Sequence, residues 1–234
     1  MSIAILLLAA GGGKRFGGGI PKQYVDVAGE PLIVHTLRSL AAEQRIEIVL
    51  PVIAEGDRRF AAITAGLSLP YQLLPPVIGG AERSISMQRG LAALPEEVSM
   101  VAVHDAARAL PSAALLKDVL DVAEQHGAAV PAVPVHDTIK RINDQGRVLE
   151  TPERASLVAV QTPQVARRDW FEQALRQEAA RLHLHTDDAS VLEAAGFPVY
   201  TSRGDSRNRK VTTQEDMAWL VTQLAGEAQT RGRV

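Results

Sequence analysis

The chain has 234 residues, 46% of them apolar and 22% charged, with 25 Lys and Arg against 27 Asp and Glu, a formal net charge of −2. That length suits one large domain, and the near-balance of charge excludes a bulk electrostatic grip on nucleic acid or membrane while leaving room for a local basic site. There is no cysteine, which excludes disulfide frameworks, thiolate zinc sites and cysteine nucleophiles.

The longest N-terminal apolar run, residues 3–10, is far too short to span a membrane, and no cationic segment precedes it. A mature, soluble, cytoplasmic protein is expected. Along the chain, strand and helix signals alternate. Residues 3–8 are unbroken apolar and end in a glycine cluster, the pattern of a buried parallel strand. Residues 31–42 carry apolar side chains at helical spacing, and 46–52 read as a second buried strand. Asp57 is placed to cap a helix to about Ala65, a short strand is expected near 72–74, and Gly79-Gly80 follows. A helix over 83–93 leads into a third strand at 98–104. Ser112 and Gly127 bracket the next helix, and 128–133 is another buried strand.

The pattern then changes. Residues 135–142 alternate, 143–146 form a turn, and 147–151 resume the strand, which predicts a β-hairpin arm with charged faces. Helices are expected over 168–182, 187–195 and 213–224, with a strand at 198–202 before the last. The small, polar tail after Ala225 is expected to be disordered, and with so little chain left no second enzymatic domain is expected. Repeated strand–helix–strand units predict an α/β fold: a Rossmann-like, mostly parallel sheet flanked by helices. In such sheets ligands bind beyond the carboxyl ends of the strands.

The first strand runs straight into Leu8-Ala9-Ala10-Gly11-Gly12-Gly13-Lys14-Arg15-Phe16-Gly17, continuing to Pro21-Lys22-Gln23-Tyr24. Small residues let backbone N–H groups approach phosphate oxygens, and Lys14, Arg15 and Lys22 supply the charge a polyphosphate needs. The dinucleotide fingerprint fails because Phe16 stands where its third glycine belongs, and the P-loop fails because Arg15 follows Gly13-Lys14. The loop is expected to hold nucleotide phosphate in a third way. Taken alone, Lys22 reads as a surface lysine, whereas for Asp105, at a strand's carboxyl end, a helix cap is only the lesser alternative. Facing a triphosphate, however, Asp105 needs a divalent cation between them, and Mg²⁺ suits oxygen ligands of that kind. His104 is expected to be structural, and His183-x-His185 has no carboxylate-rich zinc pattern around it.

The series L-A-A-G-x-G-x-R-x-G…P-K-Q resembles the signature of the sugar-nucleotidyltransferase-like superfamily. Pro21-Lys22-Gln23-Tyr24 narrows the resemblance to the 2-C-methyl-D-erythritol 4-phosphate cytidylyltransferases of non-mevalonate isoprenoid synthesis. Gly79-Gly80-x-x-Arg83-x-x-Ser86, Val103-His104-Asp105-Ala106-Ala107-Arg108, Asp137-Thr138-x-Lys140-Arg141, Gln161-Thr162-Pro163-Gln164, Thr186-Asp187-x-Ala189-Ser190 and Lys210-Val211-Thr212 follow in that family's order, over about residues 3–216.

The resemblance implies one nucleotidyltransferase domain over residues 1–234, with a β-arm at about 136–156 for dimerisation. It implies CMP transfer from CTP to 2-C-methyl-D-erythritol 4-phosphate with release of pyrophosphate. The rivals are the same chemistry on another polyol phosphate such as ribitol 5-phosphate, a sugar-1-phosphate nucleotidyltransferase using another nucleotide, and a noncatalytic nucleotide-binding module. It makes Arg15, Lys22 and Lys210 the catalytic cations and Asp105 the metal ligand. Ala9, Ala10, Gly11, Gly12, Gly80, Ser86, Asp105 and Ala106 would receive the nucleotide. Arg108, Thr138, Arg141, Arg154, Thr162 and Thr186 would receive the acceptor, with Thr138 and Arg154 donated across a two-fold axis by the second subunit of a homodimer. Neither nucleic acid nor membrane is an expected partner. Ala81 and Ala109 depart from the family, which carries a polar residue and a proline there in many members.

Overall fold

The computed structural model describes residues 2–11 and 19–231, with side chains to residue 226. The order of elements begins with β1 (Ser2–Ala9), a 3-10 turn at Lys22–Tyr24, β2 (Asp26–Val27), β3 (Glu30–Pro31), α1 (Leu32–Leu40) and β4 (Ile46–Ile53). There follow α2 (Arg59–Thr64), β5 (Gln72–Leu73), β6 (Val77–Ile78), α3 (Arg83–Ala93), β7 (Val98–Asp105), α4 (Ala113–His126) and β8 (Ala128–Pro134). The last part holds β9 (Arg141–Ile142), β10 (Val148–Glu150), β11 (Val158–Val160), β12 (Gln164–Arg167), α5 (Arg168–Gln177), α6 (Asp188–Ala194), β13 (Tyr200–Arg203) and α7 (Gln214–Arg231).

The main sheet runs β11-β8-β12-β7-β1-β4-β5, with β13 also on β8 and β6 also on β4. The pairs β1–β4, β1–β7, β4–β5, β4–β6 and β8–β13 are parallel, whereas β12 runs antiparallel to both β7 and β8. The α/β class and the mostly parallel sheet are as expected. Alternation along β1 divides the core. Ile3, Ile5, Leu7 and Ala9 face the layer holding α1 and α4, while Ala4 and Leu6 face α3 and α5. Strands covered on both faces need few polar positions, which is why β1, β4 and β7 read as mostly apolar runs, with Glu47 and Ser99 the exposed positions near the starts of β4 and β7.

The caps hold as read from sequence. Asp57 Oδ1 accepts from the Arg59 and Phe60 N–H groups, and Ser112 Oγ accepts from Leu115 N–H. Gly127 ends α4 at φ +94°, and a Cβ there would stand 2.2 Å from the Trp170 ring.

Three expectations are corrected. The helix expected to reach residue 182 stops at Gln177, because Glu178 turns inward and its carboxylate takes Arg181 at 2.7 Å and His185 at 3.3 Å. The arm pairs over a shorter ladder than expected, Arg141–Ile142 with Val148–Glu150, and its exposed side chains include Ile139, Ile142, Val148 and Leu149 as well as charges. The tail does not lose order at Ala225: the backbone of α7 stays helical to Arg231. Among the described residues no helix is long and apolar enough to cross a membrane.

Candidate functional site

Parallel register brings the carboxyl ends of β1, β4 and β7 side by side, with Leu8 opposite Asp105 and Ala9 opposite Ile53. Beyond those ends lies a cleft of about 330 Å³. Its walls include Ala9, Ala10, Gly11, Lys22, Gly80, Arg83, Ser86, Asp105, Ala106 and Lys210. One wall is built for close approach. Gly80 N–H donates to Ser86 Oγ at 3.0 Å, and a Cβ on Gly80 would lie 2.2 Å from Ile85. Small residues therefore keep this wall free of side-chain bulk.

Asp105 closes β7 as a buried carboxylate in the middle of a cationic cluster. Lys210 Nζ lies 2.9 Å from its Oδ2, Arg83 Nη1 contacts its Oδ1, and Arg108 Nε is 3.6 Å from Oδ2. Burial alone would lift the Asp105 carboxyl, but Arg83, Lys210 and Arg108 outweigh it and hold the group well below the usual carboxylate range. Burial draws the Arg108 guanidinium down from its ordinary value, with Asp105 opposing.

Behind Asp105 runs a buried polar chain. Its N–H donates to Thr162 Oγ1 at 3.2 Å, Thr162 Oγ1 lies 3.0 Å from His104 Nδ1, and His104 Nε2 lies 3.1 Å from the Arg108 carbonyl. A carbonyl only accepts, so Nε2 carries the proton and Nδ1 accepts from the threonine hydroxyl. Burial lowers His104 to about 4, which keeps this ring neutral and structural, as expected. Asn208 Nδ2 completes the chain by donating to the Thr162 carbonyl at 2.7 Å.

The two lysines are set by separate devices that meet. Gln23 Nε2 donates to the Ala9 carbonyl at 2.7 Å and Tyr24 O–H donates to Asp57 Oδ2 at 2.6 Å, which fixes the turn carrying Lys22. Lys22 Nζ donates to the Val211 carbonyl at 2.7 Å. Val211 N–H in turn donates to the Ala107 carbonyl at 2.8 Å, so the segment of Lys210 is tied to both the β7 end and the Lys22 turn.

Of the residues singled out from sequence, Ala9, Ala10, Gly11, Lys22, Gly80, Ser86, Asp105, Ala106 and Lys210 meet in this cleft. Arg108 and Thr162 support Asp105 from behind. Gly12 and Arg15 lie outside the described residues. Thr138, Arg141 and Arg154 sit on the exposed arm, where Arg154 Nη1 donates to the His136 carbonyl at 2.6 Å and Arg141 pairs with Glu150 at 3.0 Å. Thr186 is exposed just before α6. These four do not line the cleft within one chain. Sequence reasoning left Arg83 and Asp188 unassigned, although Arg83 stands in a quoted motif and was the available signal.

The family model for 2-C-methyl-D-erythritol 4-phosphate cytidylyltransferase matches residues 3–224. The chain belongs to that family. A cytidylyltransferase of this name from Symbiobacterium thermophilum is 42% identical over 97% of the chain and 94% of its own length. A bifunctional enzyme IspD/IspF from Rhodopseudomonas palustris is 41% identical over 95% of the chain and 56% of its own length. Among solved structures, the 2-C-methyl-D-erythritol 4-phosphate cytidylyltransferase of Thermus thermophilus superposes with a TM-score of 0.75 at 32% identity, covering 96% of this chain and 99% of that one. The 4-diphosphocytidyl-2C-methyl-D-erythritol synthase of Anaerococcus prevotii gives 0.83 at 26% identity over 95% and 98%. The cytidylyltransferase family thus accounts for the whole strand–helix series that builds the cleft.

Proposed function

We propose that the chain transfers CMP from CTP to 2-C-methyl-D-erythritol 4-phosphate and releases pyrophosphate. The observation that carries this reading is that Lys22, Lys210, Arg83 and Asp105 line one cleft, beside the small-residue wall at Gly80 and Ser86, in a chain of this family. A phosphate oxygen of the acceptor forms a bond to the α-phosphorus of CTP, and the bond from that phosphorus to the β-phosphate bridging oxygen breaks. Two anions must meet, and negative charge gathers on the five-coordinate phosphorus. Fixed cations offset the repulsion and act most on that transition state. Lys22 and Lys210 supply compact charges and Arg15 a forked donor pair.

To hold a divalent ion, Asp105 would exchange Arg83 on its Oδ1 or Lys210 on its Oδ2 for the metal. Among the described residues no three acidic or histidine side chains gather as a metal cage. Two carboxylate residues, Glu82 and Asp105, line the cleft, Asp105 at a strand end, and Mg²⁺ is commonly held by one or two carboxylates together with substrate phosphates. When bound, such an ion would neutralise the triphosphate and polarise its oxygens.

We infer one domain with an arm that serves a homodimer. Ile142, Val148 and Leu149 are exposed on the arm, and Thr138, Arg141 and Arg154, with hydroxyl and guanidinium chemistry suited to a small polyol phosphate, are carried there. The cytoplasmic assignment rests on the sequence alone.

The test is pyrophosphate release from four nucleotides against several polyol phosphates. CTP with 2-C-methyl-D-erythritol 4-phosphate is expected to exceed CTP with D-ribitol 5-phosphate by at least about tenfold in kcat/KM. Preference for ribitol 5-phosphate overturns the acceptor assignment, and absence of release with every pair overturns the enzyme.

A further inference from the structure

Asp188 is a carboxylate buried to 1% exposure that the reaction above does not use. Its place is fixed by the strand and helix around it. Gln164 on β12 donates from Nε2 to Asp187 Oδ2 at 2.8 Å and accepts from Ala189 N–H at 2.7 Å. Asp187 Oδ1 caps α6 by accepting from Ser190 N–H at 3.0 Å. Thus pinned, Asp188 meets the guanidinium of Arg83, the first residue of α3. Arg83 Nε lies 3.1 Å from both Asp188 oxygens and Nη2 lies 2.5 Å from Oδ2. The remaining edge, Nη1, is turned to Asp105 in the cleft that Arg83 lines.

A buried carboxylate–guanidinium pair is a poor device for stability alone, since apolar side chains of similar volume are often as stable or more so. What this pair supplies is orientation. Lys210 has a flexible stem and a side chain 39% exposed, so it can follow an incoming ligand. Arg83 is clamped by Asp188 through Nε and Nη2 and meets Asp105 through Nη1, and a charge already in place needs no reorganisation when a polyanion arrives.

We propose that Arg83 is a fixed cation of the nucleotide cleft and that Asp188 is the positioning residue that aims it at the triphosphate. The inference rests on the reading of the cleft as a CTP site. Calorimetric titration with CTP in the presence of Mg²⁺, and without an acceptor, tests it on the full chain. The variants are Arg83→Met, Asp188→Leu, their combination and Asp188→Asn, with thermal melting recorded for each.

The combined variant replaces both charges with apolar groups, so it is expected to melt near the parent and to bind CTP at least about tenfold more weakly. Asp188→Leu is expected to add no further loss once Arg83 is Met, because it acts through that residue. Asp188→Asn, which keeps the shape, is expected to weaken CTP binding in the same direction by about threefold or more while raising the KM for CTP more than it lowers kcat. CTP binding by the combined variant within about twofold of the parent, or a full additional loss from Asp188→Leu on the Arg83→Met background, overturns the proposal. Should the parent itself fail to bind CTP, the CTP reading of the cleft is what has failed, and the inference falls with it.

Discussion

At the scale of single residues, the proposed function assigns Lys22 to the chemical step. Lys22 is held on the Val211 carbonyl at 2.7 Å by a turn anchored through Gln23 and Tyr24. The proposed function places this charge at the α-phosphorus, where negative charge develops in the transition state. Lys22→Ala is therefore expected to lower kcat far more than it raises the KM for CTP, by the roughly 2.7–4 kcal/mol that loss of one such donor costs. A raised KM with unchanged kcat would make Lys22 a ground-state binding group. Asp105→Asn is expected to lose most of its Mg²⁺-dependent turnover. Equal rates for variant and parent at limiting Mg²⁺ would remove Asp105 as the ligand. Asp105 was legible because it closes an apolar strand, whereas Lys22 and Lys210 were singled out only through the family resemblance, since each alone reads as a solvated lysine. Asp188 was not, because its partner Arg83 lies 105 residues away and no periodicity connects them.

At the scale of elements, α7 shows how a cap reaches the site. Asp216 Oδ2 accepts from the Thr212 and Thr213 N–H groups at 2.8 and 2.9 Å and from Thr212 Oγ1 at 2.7 Å, while Asp216 N–H donates to Thr213 Oγ1 at 3.2 Å. This reciprocal cap holds the segment that carries Lys210. Burial alone would raise the Asp216 carboxyl, but the Thr212 and Thr213 donors outweigh it and lower it from 3.8 to about 2. Its folded value lies below its unfolded one. The stabilisation is therefore fully present above the unfolded value and is lost as pH falls through the folded one. Asp216→Ala is expected to cost about 1 kcal/mol at neutral pH, with the gap between variant and parent closing below pH 4. The variant is also expected to raise the KM for CTP by loosening Lys210. Denaturant unfolding at several pH values checks the first point, and a pH-independent gap would show that the cap is not what holds the segment. Elements were legible where periodicity was long. The short antiparallel β12 was missed because Gln164-Val165-Ala166-Arg167 offers four residues with no alternation to distinguish it from loop. Yet Gln164 on that strand sets α6, and through it Asp188 and Arg83. The arm was legible as a hairpin from its turn residues, but its alternating charges suggested a longer ladder than the two short strands that pair.

At the scale of the whole molecule, the residues proposed to hold the acceptor are separated from the cleft proposed to hold the nucleotide. Lys22 lines the cleft, whereas Arg154 lies on an exposed arm and spends one guanidinium nitrogen on the His136 carbonyl. An arm with exposed Ile142, Val148 and Leu149, next to an edge strand exposing Val158 and Val160, is a surface that a second copy of the chain can cover. If the arm of one subunit completes the cleft of the other, each composite site takes Lys22 from one chain and Arg154 from its partner. Lys22→Ala and Arg154→Ala homodimers are then both inactive, since every site lacks one of the two groups. A mixed dimer has one site with both defects and one with neither. Random exchange between equal amounts of the two variants makes about half of all dimers mixed, each with one of two sites intact, so about a quarter of parental activity should return. A shared site in cis makes the opposite demand: exchange leaves every site with one defect and nothing is recovered. Exchange is followed by tagging one variant and confirming co-purification of the other, and pyrophosphate release is measured on the same sample. Recovery of activity in proportion to the mixed fraction supports the trans arrangement, and confirmed exchange without recovery overturns it in favour of a site in which Arg154 and Lys22 come from the same chain.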